Sequence, residues 1–148
     1  MDIKFKKLKE SAHIPTRGSE FSAGSDLYAC LPDNIEQIVI NPGETVMVNT
    51  GLAFEMPSNY VGLVYARSGL ATKRGLAPAN KVGVVDSDYR GEVMVALHNH
   101  SNKTQAVANG ERIAQIVFTP YLAANFVEVD EIENTTRGAG GFGSTGKM

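Results

Sequence analysis

The sequence predicts an all-β fold of the sandwich, jelly-roll or barrel kind, on three observations. Apolar residues alternate with polar ones over short runs, the period of a half-buried strand. The runs recur with turn-forming segments between them, as in sandwiches and barrels. Glycine is abundant for a compact domain, 15 of 148 residues, and breaks most windows in which a 3.6-residue period could persist.

Taken in order, residues 3–5 alternate apolar side chains with lysine and open the first expected strand. Residues 37–40 and 45–48 flank Asn41-Pro42-Gly43-Glu44, a run of turn formers. Residues 60–65 and 82–85 are rich in the β-branched and aromatic residues that favour strands. Between them, residues 68–74 are the one stretch suited to a short helix, two turns at most. Strands are expected again at 92–97, 104–107, 112–118 and 126–129. From Asn134 onward glycine and small polar residues dominate, so residues 1–133 are expected to form the core and 134–148 a flexible C-terminal arm of the same single domain.

A chain of 148 residues, 43% hydrophobic and 20% charged, buries enough surface to fold without disulfides and has no room for a second catalytic domain. Fourteen Lys and Arg oppose sixteen Asp and Glu, a formal charge of −2, so the basic excess of a nucleic-acid-binding domain is absent. Cys30 stands alone, which excludes an intrachain disulfide and a cysteine zinc site and points to a reducing compartment. The N-terminus alternates apolar and basic residues where a signal peptide has an unbroken apolar core, and no run approaches a membrane span. The expected location is therefore the cytoplasm, with no membrane or nucleic-acid partner. Asn-x-Ser/Thr triplets at Asn99, Asn102 and Asn134 are taken as chance occurrences.

Five segments are too polar or too glycine-rich for core strands: AGSDLYA at 23–29, ARSGLA at 66–71, GVVDSDYRGE at 83–92, GERIAQ at 110–115 and RGAGGFGSTG at 137–146. Singly, each has a plain structural account. Ser68 suits a helix N-cap, and Asp86-Ser87-Asp88 suits a hairpin turn. The last segment fits glycine-rich dinucleotide and phosphate-loop patterns, but both need a following helix to aim its N-terminus at phosphate, and only Lys147 and Met148 follow. The local chemistry still suits a terminal phosphate: backbone N–H groups, the hydroxyls of Ser144 and Thr145, and the guanidinium fork of Arg137.

In this order and at these spacings the five segments resemble the five motifs of the homotrimeric dUTPase family, and they span residues 23–146, nearly the whole chain. Two positions depart from the family pattern: Ala66 stands where Pro is more frequent, and Glu111 where Asp is commoner. The resemblance implies a distorted jelly-roll subunit in a homotrimer, active sites at subunit interfaces, and a C-terminal arm exchanged between subunits. It also implies hydrolysis of dUTP to dUMP and pyrophosphate, which limits uracil in DNA and supplies dUMP for thymidylate synthesis.

The same resemblance assigns roles. Asp86 is the general base that activates water for attack on the α-phosphorus; from the residues alone Asp88 is a rival, because i and i+2 share a face in an extended segment. Mg²⁺ is the implied cofactor, a hard cation suited to triphosphate oxygens, with Asp26 holding it through coordinated water. Arg67, Ser68, Gly69 and Gln115 contact phosphate, and Arg137, Ser144 and Thr145 fold over the γ-phosphate, with Gly143 a further substrate contact. Asn80 and the backbone of Gly83, Val84 and Val85 pair with the uracil edge, Tyr89 lies against the deoxyribose and excludes a 2′-hydroxyl, and Phe142 stacks on the base.

His98 and His100 share a strand face but lack the third ligand of a catalytic zinc site. Lys4, Lys6, Lys7 and Lys9 read as a solvated edge that discourages sheet aggregation. Two other functions compete for these residues. One is a dCTP deaminase-type enzyme of the same fold, which the Asp86-Ser87-Asp88-Tyr89 run and the ARSGLA segment disfavour. The other is a dUTP-binding regulatory protein, for which the sequence offers no partner surface and no insert between motifs.

Overall fold

The computed structural model describes residues 1–141 and turns most of the alternating runs into strands. In chain order they are β1 (Lys4–Lys7), β2 (Thr16–Arg17), β3 (Ser25–Tyr28), β4 (Gln37–Ile40), β5 (Thr45–Asn49), β6 (Leu52–Glu55) and β7 (Tyr60–Tyr65). Helix α1 (Ser68–Arg74) follows, then β8 (Leu76–Pro78), β9 (Val82–Val85), β10 (Met94–Asn99), β11 (Gln105–Ala108) and β12 (Arg112–Pro120). All pairings are antiparallel, in four sheets: β1-β6, β5-β10-β8, β11-β4 and the five-stranded β2-β3-β12-β7-β9. They wrap one apolar core as a distorted jelly roll.

Alternation decides what the core contains. In β10, Val95, Leu97 and Asn99 point inward while Met94 stays exposed, and Leu97 belongs to the same buried cluster as Ile40, Val48, Leu76, Val107, Ile113 and Ile116. Asn99 is the polar exception, and its amide is fully paired. Nδ2 donates to the Ile40 carbonyl at 2.9 Å and the Lys103 carbonyl at 2.8 Å, while Oδ1 accepts from the Ser101 N–H at 2.9 Å and hydroxyl at 2.7 Å. Burial of Asn99 removes the first glycosylation triplet from the surface.

Helix α1 occupies the expected residues, with one correction. Arg67 is the N-cap, extended at φ −84° and ψ 126°, and no side chain caps the helix; Ser68 is already the first helical residue. The chain leaves α1 at Gly75, left-handed at φ 68°, with its N–H donating to the Ala71 carbonyl. A Cβ there would come within 2.9 Å of the Ser101 backbone nitrogen.

Four strands went unforeseen. β2 and β8 are too short to show a period, β3 lies inside a glycine-rich segment, and β6 is buried at Leu52, Ala53 and Phe54 in succession, so nothing alternates. The strand expected at residues 126–129 is absent. Among the described residues regular structure ends at Pro120, and Phe126 and Val127 are 98% and 79% exposed. The lysine-rich β1 is exposed at all four positions, as a solvated edge requires. No helix among the described residues is long and apolar enough to cross a membrane.

Candidate active site

Four pairings of the five-stranded sheet align Thr16, Asp26, Gln115, Tyr65 and Val82 in one row across β2, β3, β12, β7 and β9. The candidate residues gather at two places along this sheet, and the row measures how far apart those places are.

The first lies over β3 and β12, where a cleft of about 200 Å³ collects Asp26, Arg67, Ser68, Gly69 and Gln115, the phosphate and metal residues expected from the sequence. Asp26 accepts one guanidinium on each oxygen: Arg67 Nε at 2.8 Å on Oδ1 and Arg112 Nη1 at 3.2 Å on Oδ2. Two cations around one carboxylate leave net positive charge, which suits a phosphate chain. Gln115 Nε2 donates to the Ala66 carbonyl at 2.9 Å and so ties β12 to the segment entering α1. A Cβ on Gly24 would overlap the Gln115 amide, which explains the glycine there. Arg74 at the end of α1 pairs with Glu111 and so holds the helix to the GERIAQ segment. The sequence reading missed Arg112; its signal was its place in that same segment.

Among the described residues no three His, Cys, Asp or Glu side chains converge on a metal site, the His98–His100 pair included. The donor set around Asp26 has no inner-sphere cage. It fits a hydrated cation carried mainly by phosphate oxygens and touched from outside by one carboxylate.

The second place is the end of β9. After Val85 the chain turns, with the Tyr89 N–H donating to the Asp86 carbonyl at 3.2 Å and Arg90 Nη1 donating to the carbonyls of Ser87 at 2.7 Å and Tyr89 at 3.1 Å. Asp86 lines a cleft of about 220 Å³ with Val84, Val85, Tyr89 and Glu92, between Met47 and Met94, and Asp88 is not part of that lining. The shared face of i and i+2 holds for an extended chain, and a turn at Ser87 and Asp88 abolishes it. Asn80, in the turn between β8 and β9, sets its amide against Gly83, whose Cβ would lie 3.1 Å from Asn80 Nδ2.

From Asp26 to Asp86 is three strand spacings across the sheet and four residues along β9, about 20 Å from standard strand geometry. Asp86 and the Arg67 cleft of one chain are too far apart to act on one phosphorus. Arg137 lies on the exposed tail, its Nε donating to the Gly140 carbonyl at 2.9 Å, and lines neither cleft. Phe142, Gly143, Ser144 and Thr145 lie outside the described residues.

A family model for dUTPase matches residues 10–146 of this chain. The chain is 48% identical over 147 residues to the deoxyuridine 5'-triphosphate nucleotidohydrolase of Nautilia profundicola, covering 99% of this chain and 100% of that one. It is 46% identical over 145 residues to the protein of the same name from Desulfitobacterium hafniense, covering 97% and 94%. Its backbone is similar to that of Staphylococcus bacteriophage 80alpha dUTPase with dUPNHPP, with a TM-score of 0.87 at 27% identity and 98% of each chain covered.

Proposed function

The chain belongs to the dUTPase family, and from that premise we propose that it hydrolyses dUTP to dUMP and pyrophosphate at sites shared between the subunits of a homotrimer. The observation that carries this reading is the meeting of Asp26, Arg67, Ser68, Gly69 and Gln115, from three distant segments, in one cationic cleft.

Arg67, Ser68, Gly69 and Gln115 bind the phosphate chain. Asp86 of another subunit accepts a proton from the water that attacks the α-phosphorus; the new P–O bond forms as the bridging P–O bond breaks and pyrophosphate departs. Base catalysis of this kind is worth about 10²–10⁴-fold. Asp26 would hold a Mg²⁺ ion through coordinated water, and the bound ion would supply charge neutralisation on the triphosphate. Asn80 and the backbone of Gly83, Val84 and Val85 read the uracil edge, while Tyr89 excludes a 2′-hydroxyl. Phe142 stacks on the base, and Arg137, Gly143, Ser144 and Thr145 close over the phosphates as an arm beginning at Asn134.

The separation of about 20 Å between the Asp86 and Asp26 clefts supports a shared site. Exchange of the tail between subunits finds support in its surface. Leu122, Phe126, Val127 and Ile132 are all more than three-quarters exposed, an apolar surface that one chain leaves uncovered. Glu128, Asp130, Glu131 and Glu133 alternate among them, and β1 offers Lys4, Lys6 and Lys7 on a strand paired with β6 alone.

Incubation of the purified chain with Mg²⁺ and each of dUTP, dCTP, dTTP and UTP, with products identified, tests the reading. Release of dUMP and pyrophosphate from dUTP alone is expected; deamination of dCTP, or binding of dUTP without turnover, would refute it.

A further inference from the structure

The loop that carries Asp86 and Tyr89 leaves β9 of the five-stranded sheet after Val85 and next enters a strand at β10 of the three-stranded sheet, so no strand pairing fixes residues 86–91. Its far end is held by the Glu92 carboxylate, beside the hydrogen bonds of Val93 to Leu52 and Thr50. Glu92 Oε1 accepts the Gly51 N–H at 2.7 Å, and Oε2 accepts Asn49 Nδ2 at 2.7 Å. We propose that Glu92 is a positioning residue, whose carboxylate fastens the Asp86 loop to the turn between β5 and β6 and thereby sets where Asp86 and Tyr89 stand. This inference rests on the dUTP-hydrolysing reading above.

The anchor is itself fixed. The Asn49 carbonyl accepts the Cys30 N–H at 2.8 Å, and Gly51, at φ 69°, is packed so closely that a Cβ would sit 2.7 Å from Ala12 and 2.9 Å from Cys30 Sγ. Beside Glu92, Val93 is clamped on both sides: its N–H donates to the Leu52 carbonyl at 2.8 Å, and its carbonyl accepts the buried Thr50 hydroxyl at 2.6 Å. Tyr89 is then tied to the same post, because its hydroxyl donates to the Glu92 carbonyl at 3.0 Å. The ring passes so close to Gly91 that a Cβ there would overlap the hydroxyl. Glu92 also lines the cleft that Asp86 and Tyr89 share.

Two donors meet two carboxylate oxygens, and an amide cannot serve both. Glu92→Gln would turn an NH₂ toward one of those donors. Asn49→Asp combined with Glu92→Gln restores both bonds with the polarity of one reversed, since the amide introduced at position 92 can donate to the carboxylate introduced at position 49 while still accepting from the Gly51 N–H. A purely structural role would change folding stability and leave the preference for dUTP over UTP untouched. A positioning role moves that preference, because Tyr89 excludes the 2′-hydroxyl.

Steady-state kinetics of the full-length protein on dUTP and on UTP, with circular dichroism as a check on folding, tests this. Glu92→Gln is expected to lower kcat on dUTP about tenfold or more, in line with the sensitivity of catalysis to ångström-scale misplacement, with a smaller change in KM. Its dUTP-over-UTP preference in kcat/KM should fall severalfold, and the paired variant should recover most of both losses. Wild-type kcat and preference in Glu92→Gln, or a loss the paired variant does not recover, would overturn the proposal. Should Glu92→Gln fail to fold, Asn49→Ala, which removes one of the two bonds, carries the same comparison of kcat and preference. A wild-type protein inert toward dUTP would refute the functional reading itself, and this inference with it.

Discussion

Asp86 and Asp88 differ by two positions and by everything around them. Asp86 directly follows a paired strand and lines the cleft shared with Tyr89 and Glu92, whereas Asp88 sits in the turn outside that lining. Asp86→Asn should therefore keep dUTP binding and lose turnover by about 10²–10⁴-fold, while Asp88→Asn stays near wild type; single-turnover rates beside equilibrium binding check both. Loss of turnover in Asp88→Asn alone would mean that the wrong carboxylate was chosen. The sequence left this choice open because the face a side chain points to depends on where strand gives way to turn. Arg112 and Glu92 escaped it for a related reason, since their roles lie in partners 86 and 41 residues away. His100 makes a different prediction. Desolvation, then His98 in ring contact at a centroid distance of 4.3 Å, then Lys81, hold its pKa below the ordinary 6.5. The unfolded chain thus takes up this proton more readily than the folded one, so the site costs nothing above pH 6.5 and destabilises the fold as pH falls below it. The drop in Tm between neutral pH and pH about 5.5 should be smaller in His100→Gln than in wild type; equal drops would refute it.

Elements were legible where period and boundary agreed. Tyr60–Tyr65 is rich in β-branched and aromatic residues and forms β7 at those positions, and Ser68–Arg74 ends at a glycine that the left-handed conformation requires. Leu52–Glu55 was not legible because three consecutive residues are buried and the strand has no polar face. Residues 126–129 show the converse: the sequence has the composition of a strand, and among the described residues no strand pairs with it. Every buried residue of the apolar core lies before Val117, so a chain truncated after Thr136 should stay folded and keep its oligomeric state. It should nonetheless lose most turnover, because Arg137, Phe142, Ser144 and Thr145 would no longer close over the substrate. Circular dichroism and sedimentation beside the dUTP assay separate the two effects. Full activity in the truncated protein would remove the arm from the site.

The whole molecule poses a question of distance. Asp86, the proposed general base, and the Arg67 cleft stand about 20 Å apart across one sheet, too far for one chain to serve one phosphorus. Closed symmetry resolves this if each site takes Asp86 from one copy and Arg67 from a neighbour. The resemblance of its motifs implies such a shared site, which no periodicity or composition does, because the separation exists only once β3, β12, β7 and β9 are in register. The direct measurement is complementation. Asp86→Asn and Arg67→Ala, each inactive alone, are co-expressed or refolded together at equal amounts and assayed on dUTP. Random assortment into trimers gives about one site in four an intact Asp86 from one subunit and an intact Arg67 from another, so about a quarter of wild-type activity should return. A mixed preparation as inactive as its two components would place both residues in one subunit's site and contradict the account.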